Sequence, residues 1–377
     1  MHKPQQICVR CVMDTTDPEI VFDADGVCSH CHAYEAQGRP IVERARTEEG
    51  RKVLETVVAQ IKASGQGRDY DCVLGISGGV DSSYAACMAK ELGLRPLAVH
   101  FDSGWNSELA VNNVENIVKT LDFDLYTYVC DWEEMRDLQL AFFRASLANC
   151  DVPQDHAFFA VLHQTARTHG IKYIISGGNA ATEFILPTSW GYNAGDLTHL
   201  LAVQKRFGTM KLKRYPTLSF AKRYFIYPYM LGIRTVRLLD LLPYDKAQAK
   251  AYITEKVRWR DYGGKHYESI FTRFFQAYYL PVKFNFDKRK AHCSSLIASG
   301  QMSREQALEE LRQPPYPTDQ LASDKAFVAK KLGVSEEEFD MVIAQPPRSY
   351  QDFPSSEWLF RLKDRMMRSL RERNARR

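Results

Sequence analysis

At 377 residues, with 45% hydrophobic and 25% charged, the chain has ordinary globular composition and enough apolar residues for a large core and two or three structural units. A net charge of +4 and a pI near 8.4 are too mild to imply a nucleic-acid partner. No apolar run approaches the ~20 residues of a membrane span, and Met1 to Arg10 lacks a signal peptide's apolar core, so the expectation is a cytoplasmic protein without a membrane partner.

Cys8-Val-Arg-Cys11 and Cys28-Ser-His-Cys31 form two Cys-x-x-Cys pairs at the spacing of a four-cysteine zinc site. Asp23 to Gly26 reads as the hairpin tip between them, and His30 and His32 as bystanders. With all four positions filled by protein, the zinc is expected to be structural. Residues 1–40 are therefore predicted to be a metal-held module. Val53, Val57, Val58 and Ile61 recur at helical spacing within 41–62, so 41–67 reads as a linking helix broken by Ser-Gly-Gln-Gly-Arg at 64–68.

From residue 68 the pattern alternates. Strand 71–76 meets a helix over 82–92 across Ser77-Gly-Gly-Val-Asp-Ser-Ser83. The glycines let backbone approach an anion, and free N–H groups at the helix start point at it. Ser77, Ser82 and Ser83 add hydroxyls, and Asp81 either caps the helix or holds a metal ion beside a polyphosphate. Strand 95–101 ends in Asp102-Ser103-Gly104-Trp105, helix 109–121 leads to strand 125–130, and helices 133–148 and 156–169 precede strand 172–176. Strands and helices in turn predict an α/β fold, a parallel sheet with helices on both faces that binds ligand at the strands' carboxyl ends. Ser176-Gly-Gly-Asn179, followed by Glu183, is a second glycine turn at such an end, and Gly178 and Asn179 are read as ligand contacts.

Lys205 to Arg214 is basic and 224–231 aromatic, either a substrate flap or a dimer surface, and 234–242 reads as a short helix ended by Pro243. These assignments extend the α/β domain over 68–250 and leave 251–377 as a mainly helical substrate or partner region. Lys288, Arg289 and Lys290 stand together and either invite an anion or form a solvated helix start. Residues 303–311 and 323–332 read as short surface helices. Trp358 to Arg377 reads as a basic amphipathic helix with Leu359, Leu362, Met366 and Leu370 on one side, and the aromatic segments hint at a homodimer.

The Ser77 to Ser83 motif resembles the PP-loop of the ATP pyrophosphatases, which cut ATP between its α and β phosphates. It lacks the lysine of the commoner phosphate loop. Together with the cysteine knuckles, His100-Phe-Asp-Ser-Gly-Trp105-Asn, Ile175-Ser-Gly-Gly-Asn179, Gly263-Gly-Lys-His-Tyr-Glu268 and Phe286-Asp-Lys-Arg-Lys-Ala-His292, it resembles the N-acetyl sugar amidotransferases, the WbpG-like enzymes of bacterial surface-polysaccharide and O-antigen synthesis. That resemblance implies an adenine nucleotide alpha hydrolase-like fold, ATP with Mg²⁺, and a UDP-linked N-acetyl sugar whose acetamido oxygen is adenylated and replaced by ammonia. It implies that Ser77, Gly78, Gly79, Val80, Asp81, Ser82 and Ser83 hold the pyrophosphate and that Phe101, Asp102 and Ser103 border the adenosine, although Asp102 reads equally as a helix cap. Lys265 or Arg273 would screen charge, and His266 or Glu268 would manage ammonia's proton. The chain carries no recognisable glutaminase module, so the resemblance implies a separate, histidine-pathway-like glutaminase partner. The competing readings are a tRNA thiolation enzyme of the same superfamily and a non-catalytic zinc-ribbon scaffold.

Overall fold

The computed structural model describes residues 5–263, 269–317 and 319–375. At the N-terminus isolated antiparallel bridges close each knuckle's own turn, Ile7 to Asp14 around the first cysteine pair and Phe22 to Cys28 before the second. Gly26, at φ +78°, closes the hairpin tip between them. Helices α1 (Ser29–Ala33) and α2 (Arg39–Arg44) follow. The linking helix predicted over 41–62 is interrupted. Thr47 caps a new helix, α3 (Glu48–Ser64), by accepting from Gly50 N–H, and Gly50 is pressed against the Arg44 carbonyl, where a Cβ would not fit.

The alternating region folds as β1 (Cys72–Gly75), α4 (Val80–Glu91), β2 (Pro96–Asp102), α5 (Glu108–Leu121), β3 (Leu125–Val129), α6 (Trp132–Arg144), α7 (Val152–Thr168) and β4 (Tyr173–Ser176). After α8 (Ala180–Glu183) and α9 (Leu197–Phe207) comes β5 (Arg234–Arg237), where the sequence reading had placed a helix. Parallel pairing with β4 overrides the local pattern there, and only the single 3₁₀ turn Leu238–Asp240 remains of the expected helix. The sheet is wholly parallel, in the order β3-β2-β1-β4-β5. Its order reverses between β1 and β4, which opens a crevice at their carboxyl ends.

Successive strand residues feed opposite cores. Leu74, Ile76, Ala98 and Ile175 pack with α3, α4, α5 and α10 (Lys246–Val257), while Val73, Leu97, Val99 and Ile174 pack with α6, α7 and α9. The second core continues into α11 (Ile270–Phe274), α12 (Leu280–Phe284), α15 (Leu321–Leu332) and α16 (Glu336–Ala344), whereas α13 (Lys288–Ala298) and α14 (Arg304–Arg312) pack with the N-terminal module and α17 (Glu357–Ala375) ends the chain. Helix α15, expected at the surface, buries Asp324, Val328, Ala329 and Leu332. In α17 the buried anchor is Phe360, whereas Leu362 and Met366 of the predicted apolar side lie exposed. Among the described residues no helix is long and apolar enough to cross a membrane.

Candidate active site

The Ser77 to Ser83 turn sits at the exit of β1, as the motif requires. Gly78 adopts φ +82°, and a Cβ there would lie 2.8 Å from the Ala110 carbonyl oxygen. Its own carbonyl accepts from Trp259 Nε1 at 2.8 Å, which fixes the loop against α10's C-terminal extension. Ser77 and Ser82 hydroxyls meet at 3.1 Å, and Ser83 donates to the Gly79 carbonyl at 2.7 Å. Gly79 is the N-cap of α4 and offers no side-chain acceptor, so the first-turn N–H groups are left for an anion.

The second glycine turn presses on the first. A Cβ at Gly177 would lie 2.9 Å from the Ser82 nitrogen and 3.0 Å from the Asp81 carbonyl carbon. Gly178 is ringed by Ser176, Glu183 and Arg237, and Arg237 Nε donates to its carbonyl at 3.2 Å. Asn179 is buried, and its side-chain oxygen caps α8 by accepting from Thr182 N–H at 2.8 Å, so this predicted contact serves the turn. Asp240, which the sequence reading did not single out, accepts from Ala180 N–H at 2.7 Å and pairs with Arg237 at 2.9 Å. Burial raises its pKa above the usual carboxylate range, against the pull of Arg237.

Asp81 accepts a hydrogen bond from the Tyr244 hydroxyl, and burial followed by the Asp81 charge pushes that phenol's pKa up. Glu183 also acts on Tyr244 electrostatically, so two carboxylates border the loop. Hard oxygen donors beside a phosphate cradle fit Mg²⁺. Next to them Lys246 Nζ donates to His292 Nε2 at 2.9 Å, and His292 Nδ1 donates to the Thr182 carbonyl at 3.2 Å.

At the exit of β2, Phe101 is buried and stacks on Tyr128. Asp102 accepts from Gly104 N–H at 2.8 Å and so fixes its own turn, while helix α5 is capped by Ser107 instead. Ser103 donates to Gln154 at 2.6 Å. The three predicted cations of α13 part company. Lys290 pairs with Asp14 of the N-terminal module, and Arg289 forks onto Asp287 at 2.7 Å and reaches the Gln313 carbonyl at 2.9 Å. Lys288 acts on Asp155 and packs over the Phe275 ring. Arg273 is engaged by Asp324 beneath α15. Lys265, His266 and Glu268 lie outside the described residues.

The four N-terminal sulfurs lie within 4.8 Å of one another, with Cys8 to Cys31 at 3.8 Å and Cys11 to Cys28 at 3.6 Å. Tetrahedral Zn–S bonds of about 2.3 Å set sulfurs about 3.8 Å apart, so the set fits zinc. Backbone N–H groups of Arg10 and Cys28 point at the Cys8 sulfur and that of Met13 at the Cys11 sulfur, as thiolates require. His30 and His32 pair with Asp17 and Asp23 and stay out of the cluster.

Comparison with known proteins adds to this geometry. Residues 49–217 match the family model of NAD synthase, and residues 268–367 match that described as LPS biosynthesis protein WbpG-like, C-terminal domain. No curated protein matches the chain. Among solved structures it is similar to an NH3-dependent NAD synthetase from Campylobacter jejuni subsp. jejuni NCTC 11168 in complex with the nitrate ion, at 16% identity over 42% of this chain and 72% of that one, TM-score 0.30. It is also similar to the NMN synthetase from Francisella tularensis, at 15% identity over 56% of this chain and 96% of that one, TM-score 0.30. Both overlaps are partial, and the fold assignment rests on the parallel sheet and the family models. A PP-loop domain of the NAD synthase kind is thus joined to a WbpG-like C-terminal domain, a combination that supports an ATP-using ligase or amidotransferase in kind.

Proposed function

We propose that the chain is the ATP-dependent amidotransferase of bacterial surface-polysaccharide (O-antigen) synthesis that converts an acetamido group of a UDP-linked N-acetyl sugar, a 2,3-diacetamido uronic acid, into an acetamidino group. The products besides the amidine are AMP and pyrophosphate, and a separate glutaminase supplies the ammonia. The observation that carries this reading is the uncapped loop at the exit of β1, pressed by Gly177 and facing a cleft of acids and bases, in a chain with a WbpG-like C-terminal domain.

An amide oxygen is a poor leaving group, so ammonia does not displace it unaided. Transfer of AMP to that oxygen makes an activated imidate, which ammonia attacks as AMP leaves. The work of the protein is to align the amide oxygen with the α-phosphorus and to neutralise the departing pyrophosphate. Ser77, Gly78, Gly79, Val80, Ser82 and Ser83 hold the pyrophosphate, and Phe101, Asp102 and Ser103 border the adenosine. Asp81 and Glu183 would hold Mg²⁺, which neutralises phosphate charge when bound. Zn²⁺ on Cys8, Cys11, Cys28 and Cys31 supports structure alone.

The thiolation reading needs a reactive cysteine near ATP. Cys72, Cys87, Cys130, Cys150 and Cys293 are all buried, and burial pushes each thiol's pKa up, to about 12 for Cys87, Cys130 and Cys293. Incubation with ATP, Mg²⁺, ammonium and a panel of UDP-diacetamido sugars tests the proposal. AMP release with a product lighter by the difference between O and NH supports it. Production of ADP would overturn it.

A further inference from the structure

We propose that Asp155, on the first turn of α7, is the general base that takes a proton from the incoming nitrogen as it replaces AMP on the activated amide. The inference rests on the amidotransferase reading above and names a residue for its second half-reaction.

Helix α7 runs antiparallel to the strands. A Cβ on Gly75, the last residue of β1, would strike Phe158 and Leu162, so the turn that precedes them overhangs the carboxyl edge of the sheet. That overhang is pinned. Ser103, at the exit of β2, donates to Gln154 at 2.6 Å, and the Gln154 amide in turn donates to Asp151 at 2.6 Å. Asp151 is buried and also faces the Thr272 hydroxyl. Asp155 lies one turn further on and is exposed to solvent at that edge.

The groups that act on Asp155 come from four elements: Asp151 at the start of its own helix, Glu183 after the second glycine turn, Lys288 at the start of α13, and Tyr215 from the loop that follows α9. Helix α4, with the phosphate loop, covers one face of the sheet and α7 covers the other. Pyrophosphate and Asp155 therefore approach the crevice from opposite faces, with the Gly177 turn between them, and an acceptor amide at the α-phosphorus lies in that gap. Asp155 shares a face of α7 with Phe158 and Leu162, the side chains that a Cβ on Gly75 would strike, and so stands over the end of β1, where a base can meet the incoming nitrogen.

The step balances without a further reagent. The ammonia lone pair forms the C–N bond, the adduct nitrogen loses one proton to the Asp155 carboxylate, and the C–O bond to AMP breaks with its electron pair leaving on the phosphate oxygen. The carboxylic acid then returns its proton to solvent.

Two half-reactions of the full chain separate this role from ATP binding. Acceptor-dependent exchange of pyrophosphate into ATP reports adenylation, and amidine formation from ammonium reports displacement. For Asp155→Asn, amidine formation is expected to fall at least about 100-fold and exchange by far less, with Asp155→Glu recovering part of the loss. Equal losses in both half-reactions would mark a nucleotide or metal role and overturn the assignment, as would normal amidine formation. If the parent chain released no AMP with any sugar amide, the amidotransferase reading would itself fall, and this proposal with it.

Discussion

Residues 5–33 contain two isolated bridges and one short helix around four buried thiols, whereas residues 72–176 contain strands buried on both faces beneath long helices. The first region has little apolar surface of its own to bury, so its order is expected to depend on a metal ion held by the four sulfurs. The second is ordered by packing, and its chemistry is confined to the loops that leave the strands. Two kinds of perturbation should therefore act on the two regions almost independently.

The largest effect is expected at the metal. Chelation, or Cys11→Ser, should remove most of the roughly 10 kcal/mol that a structural zinc contributes to folding. Metal analysis should show bound zinc lost, and limited proteolysis should cut first before residue 40. Cleavage first within the sheet domain would break the comparison.

Acid should act on the packed region next. His163 and His199 are buried, and burial lowers each pKa to about 4; His156 is lowered in the same way. Between pH 6.5 and 4 the unfolded chain binds these protons and the folded chain does not, so stability present above pH 6.5 is lost as pH falls, by up to about 3 kcal/mol for each of His163 and His199. His199 sits among Phe142, Tyr192 and Phe353 with neither ring nitrogen hydrogen-bonded. Denaturant melts of His199→Phe against pH should show a shallower acid loss than the parent.

Within the cleft, Gly177→Ala drives a Cβ into the Ser82 and Asp81 backbone, and a misplacement of that kind is expected to cut AMP formation about 100-fold. Gly300→Ala is the control. It replaces a glycine at positive φ, +77°, in open space, so it should cost about 1 kcal/mol in a thermal melt and leave AMP formation unchanged. The smallest change is Tyr244→Phe, which removes the hydroxyl that Asp81 accepts from and should shift the ATP or Mg²⁺ requirement only several-fold, since one hydrogen bond is worth about 1 kcal/mol.

The difference between the regions also explains what could be read from sequence. The four cysteines and the Ser77 to Ser83 turn are contiguous motifs whose spacing is their geometry: the four sulfurs come together, and the turn leads into the start of α4. The four strands from 72 to 176 were legible as short runs rich in apolar, β-branched and aromatic residues, three of which lead into glycine turns. Strand β5 was not, because Arg-Thr-Val-Arg carries no apolar run and becomes a strand only by pairing with β4. Asp155 escapes a periodicity that starts helix α7 at 156, whereas the helix begins at Val152. Pro153, suited to a helix's first turn, was the signal that it begins earlier. Asp240, Tyr244 and Lys246 join the cleft through tertiary folding and carry no local mark. The adjacent cations of α13 misled in the opposite way, since neighbours on a helix face different directions and only Lys288 turns to the cleft.

Helix α13 is shared between the two regions. Lys290 and Ser294 grip Asp14 and the Val12 backbone of the cysteine module, Ser295 holds the Ile185 backbone just beyond α8, and Lys288 and His292 lean toward the nucleotide crevice. The cysteine module, far from the glycine turns in sequence, is thus the footing on which one wall of the crevice stands. Starvation for zinc, or oxidation of the thiols, would be felt by the enzyme as a loosened wall well before the sheet came apart.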